Sequence, residues 1–278
     1  MIAARGGLQS LLPYQLLHTI QKFTRTGGNV LSWLKGSILP VRIYVDGSDH
    51  HILKPRAKEG RFRLGSMVAT EAAWAEFQPK WSEMVRKHGF GPLHMADLMR
   101  PKCHPNRSWV EVRKFIVEAV NLVLGLYGNS KCFVREIDLA MYDLAKAIDP
   151  ELKLPQALCV DYCLGQLAIL TTEDVGKPGV VTMIFDRDEP YMKLIRPVWE
   201  KTKKGKGWAS QISDIHSGSS VVDVPLQAVD LMVGLCKYRD HPEINWIFMS
   251  ALMSILTFST FESKHEILQS LKRHREAA

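Results

Sequence analysis

Three aspartates each close a strand-like run containing β-branched residues. Asp46 follows residues 41–45, Asp138 follows residues 132–137 and Asp186 follows residues 180–185. In open α/β sheets ligands bind beyond the carboxyl ends of the strands, so neighbouring parallel strands would bring such carboxylates to one edge. An aspartate after a strand also serves as an ordinary turn or helix cap, and each of the three taken alone fits that use as well. Asp230 is different, because it interrupts Leu226-Gln227-Ala228-Val229-Asp230-Leu231-Met232-Val233-Gly234-Leu235, which is apolar almost all round. A carboxylate carried into a core by such a helix is costly unless it is hydrogen-bonded or bound to a metal. Gln227, three residues earlier, shares its face. Collected carboxylates with few compensating bases call for a hard cation with oxygen ligands, Mg2+ or Mn2+. Two such ions about 4 Å apart activate water and stabilise the leaving oxygen of a phosphodiester, which makes nucleic acid the expected substrate.

Elements of alternating type must position these groups. Residues 41–45 and 62–69 read as strands, plausible partners in a hairpin across a Lys- and Arg-rich loop. Between Thr70 and Gly89 the apolar residues Trp74, Phe77, Trp81, Met84 and Val85 recur at helical spacing, with Pro79 expected to kink or split the helix. Ser108-Trp109-Val110-Glu111 is a capping-box pattern opening a helix to about residue 127. A strand at 132–137, a helix at 156–170, a strand at 180–185 and helices at 226–238 and 244–258 follow. Asp223 and Pro225 suit the cap and first turn of the helix that carries Asp230. Strands alternating with helices predict an α/β sheet.

Composition narrows the class. The chain has 278 residues and a formal charge of +7. Residues 1–40 contain four basic residues and no acid, so the remainder carries only +3. These forty residues, amphipathic up to the Gly27-Gly28 break, read as a basic N-terminal appendage, and residues 41–278 as the domain proper. Five cysteines without paired spacing suit buried thiols in a reducing, cytoplasmic setting. The longest apolar stretch is broken by polar residues and is too short to span a bilayer, so no membrane association is expected. Gly-rich phosphate loops and Gly-x-Ser-x-Gly elbows are absent from the sequence, which argues against nucleoside-triphosphate enzymes and serine hydrolases.

Four motifs in this order carry a resemblance: Tyr44-Val45-Asp46-Gly47-Ser48, Leu93-His94-Met95-Ala96-Asp97-Leu98, Phe185-Asp186 and Pro225-Leu226-Gln227-Ala228-Val229-Asp230-Leu231. Over about residues 41–240 the chain resembles the family designated domain of unknown function 3800, whose members look like RNase H-fold proteins with nuclease-like roles. The resemblance implies an α/β fold with an RNase H-like mixed sheet flanked by helices. It implies acidic metal-binding positions at Asp46, Asp186 and Asp230, with Asp138 a weaker fourth, and it matches His94 to the family's mid-chain histidine. One departure stands out: the family commonly has Glu after the first Asp, and Gly47 occupies that place. The expected function is metal-dependent cleavage of DNA or RNA, and the alternative is an RNase H-like module that binds nucleic acid or a protein without cutting. Lys201, Lys203, Lys204 and Lys206 before Trp208 suit either phosphate contacts or a solvated loop.

Overall fold

The computed structural model describes residues 40–48, 60–126, 130–150, 155, 158–159, 181–186, 200, 212–254, 256–261, 265 and 267–269. The basic appendage, the helix expected at 156–170 except for Cys159 and Leu158, and the Lys201–Trp208 segment lie outside these residues.

The alternating run at residue 41 forms β1 (Val41–Ser48) and pairs antiparallel with β2 (Arg61–Thr70), so the expected hairpin forms. Thr70 then caps α1 (Glu71–His88), its hydroxyl accepting from the Ala73 N–H, and Gly89 ends it in the left-handed region. Pro79 lies inside α1 without dividing it. The proline is exposed, so the lost backbone bond faces solvent while Trp74, Phe77, Trp81 and Met84 keep the buried stripe intact. A short α2 (Met95–Leu98) and a 3-10 turn at Pro101–Cys103 lead to α3 (Trp109–Leu124), whose capping box at Ser108 and Glu111 forms as the pattern predicts. Next come β3 (Ser130–Asp138), α4 (Leu139–Ile148), β4 (Val181–Asp186), β5 (Ile212–Gly218), α5 (Val224–Lys237), α6 (Asn245–Leu252) and β6 (Leu256–Phe261).

The strands form one mixed sheet in the order β5-β4-β1-β2-β3-β6. β1, β2 and β3 are an antiparallel meander; β4 joins β1 in parallel, β5 joins β4 in parallel, and β6 joins β3 in parallel. Successive side chains alternate between faces. Tyr44, Met67, Ala69, Cys132, Val134, Ile184 and Leu256 meet α1, α3, α5 and α6 on one face. Val41, Ile43, Val45, Leu64, Ile137, Met183 and Phe185 meet α4, and among the described residues Leu158, Cys159 and Ile267, on the other.

The helix expected over 244–258 is instead α6 followed by β6. Ser250 and Ser254 turn their hydroxyls onto the Trp246 and Ser250 carbonyls, back-bonding that weakens continuation of a helix. Leu256-Thr257-Phe258-Ser259-Thr260-Phe261 is aromatic and β-branched, and the exposed edge of β3 offers it a ladder. β5, whose Asp214, His216 and Ser217 break up any apolar run, is a strand the pattern did not announce.

Candidate functional site

Parallel pairing of β1 and β4 aligns Val45 with Phe185, so Asp46 and Asp186 stand next to each other at the carboxyl ends of adjacent strands. By alternation both follow Tyr44 and Ile184 onto the face covered by α5. Both are buried, at 5% and 6% exposure. One Asp46 oxygen, Oδ1, accepts from the Gly47 N–H at 2.7 Å.

α5 crosses this face obliquely. Its start lies by β5 and β4, where Asp223 Oδ2 accepts from the Ser219 N–H at 2.9 Å. Its middle presses on β2 at Gly65, the residue paired with Asp46. A Cβ on Gly65 would come within 2.3 Å of Val233 Cγ2, so glycine is what allows the helix to lie this close to the sheet. Just past its end Arg239 reaches Glu136 of β3. Asp230 is therefore carried on the same face as Asp46 and Asp186, one residue from Val229, which also packs over Gly65.

Around Asp230 the chain is fixed by an unbroken set of contacts. Asp230 Oδ2 accepts from the Met95 N–H at 2.6 Å and lies 3.8 Å from His94 Nδ1, with the Asp230 side chain 13% and the His94 side chain 48% exposed. Gln227, one turn earlier, accepts through Oε1 from Trp81 Nε1 and from the Leu93 N–H, both at 2.9 Å, and donates through Nε2 to the Ser220 carbonyl at 2.6 Å. Gly234 meets Met95 so closely that a Cβ there would stand 2.1 Å from Met95 Cγ. The segment bearing His94 is thus locked onto the helix bearing Asp230.

Asp138 has a different place. β3 runs in the direction of β1, but β2 lies between them, a lateral separation of about 10 Å. Its carboxylate caps α4, Oδ1 accepting from the Met141 N–H at 3.1 Å, which is the ordinary helix-capping use of such a residue.

One cluster was not legible in advance. Glu136, 1% exposed, lies one pleat beyond the Asp46 row on the same face. Arg63 binds its Oε2, Arg61 Nη1 lies 3.0 Å from Oε1, and Arg239 bridges both oxygens at 2.9 and 3.1 Å. Burial pushes the Glu136 carboxyl up, but the Arg239 hydrogen bond and the charges of Arg63, Arg239 and Arg61 together outweigh it and hold the group below the usual carboxylate range. Arg61 and Arg63 alternate along the start of β2, and that alternation was the available signal. Next to it, burial pushes the Cys236 thiol up, so this cysteine is an inert core residue. Cys132 and Cys159 are also buried thiols, whereas Cys103 is exposed.

A hard divalent cation is the group that the sequence leads one to expect at these carboxylates. Among the described residues no three His, Cys, Asp or Glu side chains stand close enough to hold a metal ion together. The adjacent, buried Asp46–Asp186 pair still fits magnesium by donor chemistry, because that ion commonly takes one or two carboxylates and keeps waters or substrate phosphates in its other positions. Asp230 faces the Met95 N–H and His94 instead. A separate cavity of about 320 Å³ between α1 and α3 lies toward the opposite end of the strands, by Thr70, and Glu76 is the acid among its described lining residues. No helix among the described residues is long and apolar enough to cross a membrane. Comparison with protein-family models, with curated proteins and with solved structures finds no match.

Proposed function

We propose that this chain is an RNase H-like, metal-dependent nuclease that hydrolyses phosphodiester bonds of DNA or RNA. The observation that carries the reading is the pair of buried aspartates at the carboxyl ends of two adjacent parallel strands. A mixed sheet made of an antiparallel meander extended by parallel strands, with helices on both faces, is consistent with the RNase H-like architecture that the motifs suggest. Asp46 and Asp186 would hold Mg2+ or Mn2+, with Asp230 the further acid on the same face. The ion would supply an activated water and charge stabilisation at the phosphoryl group.

The protein's own residues have separate tasks in this reading. Water adds to phosphorus through its oxygen and gives up a proton, the bond from phosphorus to the leaving oxygen breaks, and the leaving oxygen takes up a proton. His94, half-exposed and 3.8 Å from Asp230, would take the proton from the water or supply the one the leaving oxygen takes up. Asp230 anchors the segment that bears His94 through the Met95 N–H. Gln227 holds Leu93, and hence the approach to His94, in one position.

The test combines cleavage with melting. Labelled single- and double-stranded DNA and RNA should be cut in millimolar Mg2+ or Mn2+ and left intact in EDTA. Asp46→Asn, which keeps the shape and removes the charge, should fold and fail to cut. The parent's melting midpoint should rise with the metal, since a ligand that binds only the folded state stabilises it, and the variant's should not. Gly47, where the related motif commonly has Glu, favours a second reading: a module that binds nucleic acid or a protein without cutting. A parent whose midpoint ignores both metals and which cuts none of the substrates would overturn the first reading and leave the second.

A further inference from the structure

Resting on the nucleic-acid reading, we infer that the segment between Leu93 and Ser108 is a preorganised cationic grip for the phosphate backbone, with Arg100 and Lys102 as its contact residues. The segment carries Arg100, Lys102 and Arg107 against a single acid, Asp97. It begins at the candidate site, because His94 and Met95 are the residues that meet Asp230.

Its backbone is a series of consecutive turns. The His94 carbonyl accepts from Asp97 and Leu98, the Met95 carbonyl from Met99, the Asp97 carbonyl from Arg100, the Arg100 carbonyl from Cys103, the Pro101 carbonyl from His104 and the His104 carbonyl from Arg107. Both ends are pinned. At one end Leu93 and Met95 are tied to Gln227 and Asp230. At the other, Arg107 donates to the Gly89 carbonyl at 2.9 Å and lies 4.2 Å over the Phe90 ring, which stacks on Phe115. Arg107 is therefore a fastener. That leaves Arg100, 64% exposed with only a 3.7 Å approach to half-exposed Asp97, and Lys102, which is exposed.

Two cations on a hydrogen-bonded, exposed segment are suited to phosphate contacts, which position a nucleic acid without reading its sequence. Holding the segment in advance lowers the ordering cost of binding. Among the described residues, the arginines of the Glu136 cluster do not have this form, since all three converge on that buried carboxylate.

Salt dependence tests the inference. Binding of a fluorescein-labelled 20-base-pair DNA duplex, and of an RNA of the same length, is followed by anisotropy from 50 to 200 mM salt, in EDTA and in Mg2+. Each phosphate contact contributes about −0.9 to the slope of log K against log salt on duplex DNA, so Arg100→Gln/Lys102→Gln should reduce the slope by about 1.8. Its melting midpoint should stay at the parent value, and Lys102→Glu alone should weaken binding further than Lys102→Gln. Lys80→Gln/Arg86→Gln removes the same charge from the exposed side of α1 and should leave the slope within error. Equal slope changes in the two double variants, or none in either, would overturn the grip while leaving the nuclease reading in place. A parent that binds neither duplex DNA nor RNA would overturn both.

Discussion

At the scale of single residues, the hydrogen bonding of Gln227 and Glu136 exceeds what their neighbours in sequence suggest. Gln227 satisfies an indole N–H, a backbone N–H and a backbone carbonyl, and it is itself 4% exposed. Gln227→Ala would leave those three groups without it, at about 1–3 kcal/mol for each one that stays dry. We expect a loss of about 3 kcal/mol overall, read from urea unfolding of variant and parent; a loss below about 1 kcal/mol would mean that water replaces the amide. Glu136 gives a pH signature. Its folded-state carboxyl titrates below the ordinary range, so its contribution is present above the unfolded value, near 4.3, and disappears as pH falls through the lower folded value. Glu136→Gln should therefore destabilise the fold at neutral pH, because it removes the negative charge on which Arg61, Arg63 and Arg239 converge. The gap between parent and variant should narrow toward pH 3. A gap independent of pH would show that the cluster acts through packing rather than charge.

At the scale of elements, the site depends on two close approaches to α5. Gly65 lets the helix sit on β2 beside Asp46, and Gly234 lets Met95 sit on the helix beside Asp230. Either glycine changed to alanine forces a methyl into an occupied space, a cost of about 1–3 kcal/mol in a packed core. The two should differ in function. Gly234→Ala displaces the segment bearing His94, so cleavage should fall more than stability accounts for, and restoring the melting midpoint with a stabilising salt should not restore activity. Gly65→Ala lifts α5 as a unit and should lower stability and activity together. If Gly234→Ala retained full activity once folded, the tie between Met95 and Asp230 would have no part in the reaction.

At the scale of the whole molecule, a six-stranded mixed sheet separates two cores, and Asp46 and Asp186 lie on the face under α5. The first described backbone contact is the Pro40 carbonyl accepting from the Glu71 N–H, which joins the start of β1 to the start of α1. Since residues 1–40 hold basic charge but no acid, and β1 begins at Val41, a chain shortened to start at Leu39 should still melt in one cooperative transition. A broad, non-cooperative melt would assign that segment to the core.

The sequence by itself determined the local features. The period-2 run before Asp46, the helical stripe from Trp74 to Met84, the Ser108–Glu111 capping box and the apolar helix around Asp230 are all encoded within a few turns of chain, and each formed where its pattern lay. Candidate residues next to those features were legible for the same reason. Only the tertiary structure decided which of them meet. Asp46 adjoins Asp186 because β4 crosses over to lie parallel to β1, 140 residues later in the chain, while Asp138 is kept apart by the single intervening strand β2. Residues 256–261 became a strand because the open edge of β3 outweighed a short-range helical pattern. Glu136 and its arginines come from β2, β3 and the end of α5, and no local window contains such a cluster. Spacing along the chain specifies hydrogen bonds within an element, whereas strand order and helix crossing specify proximity between elements, and the chemistry proposed here depends on the second.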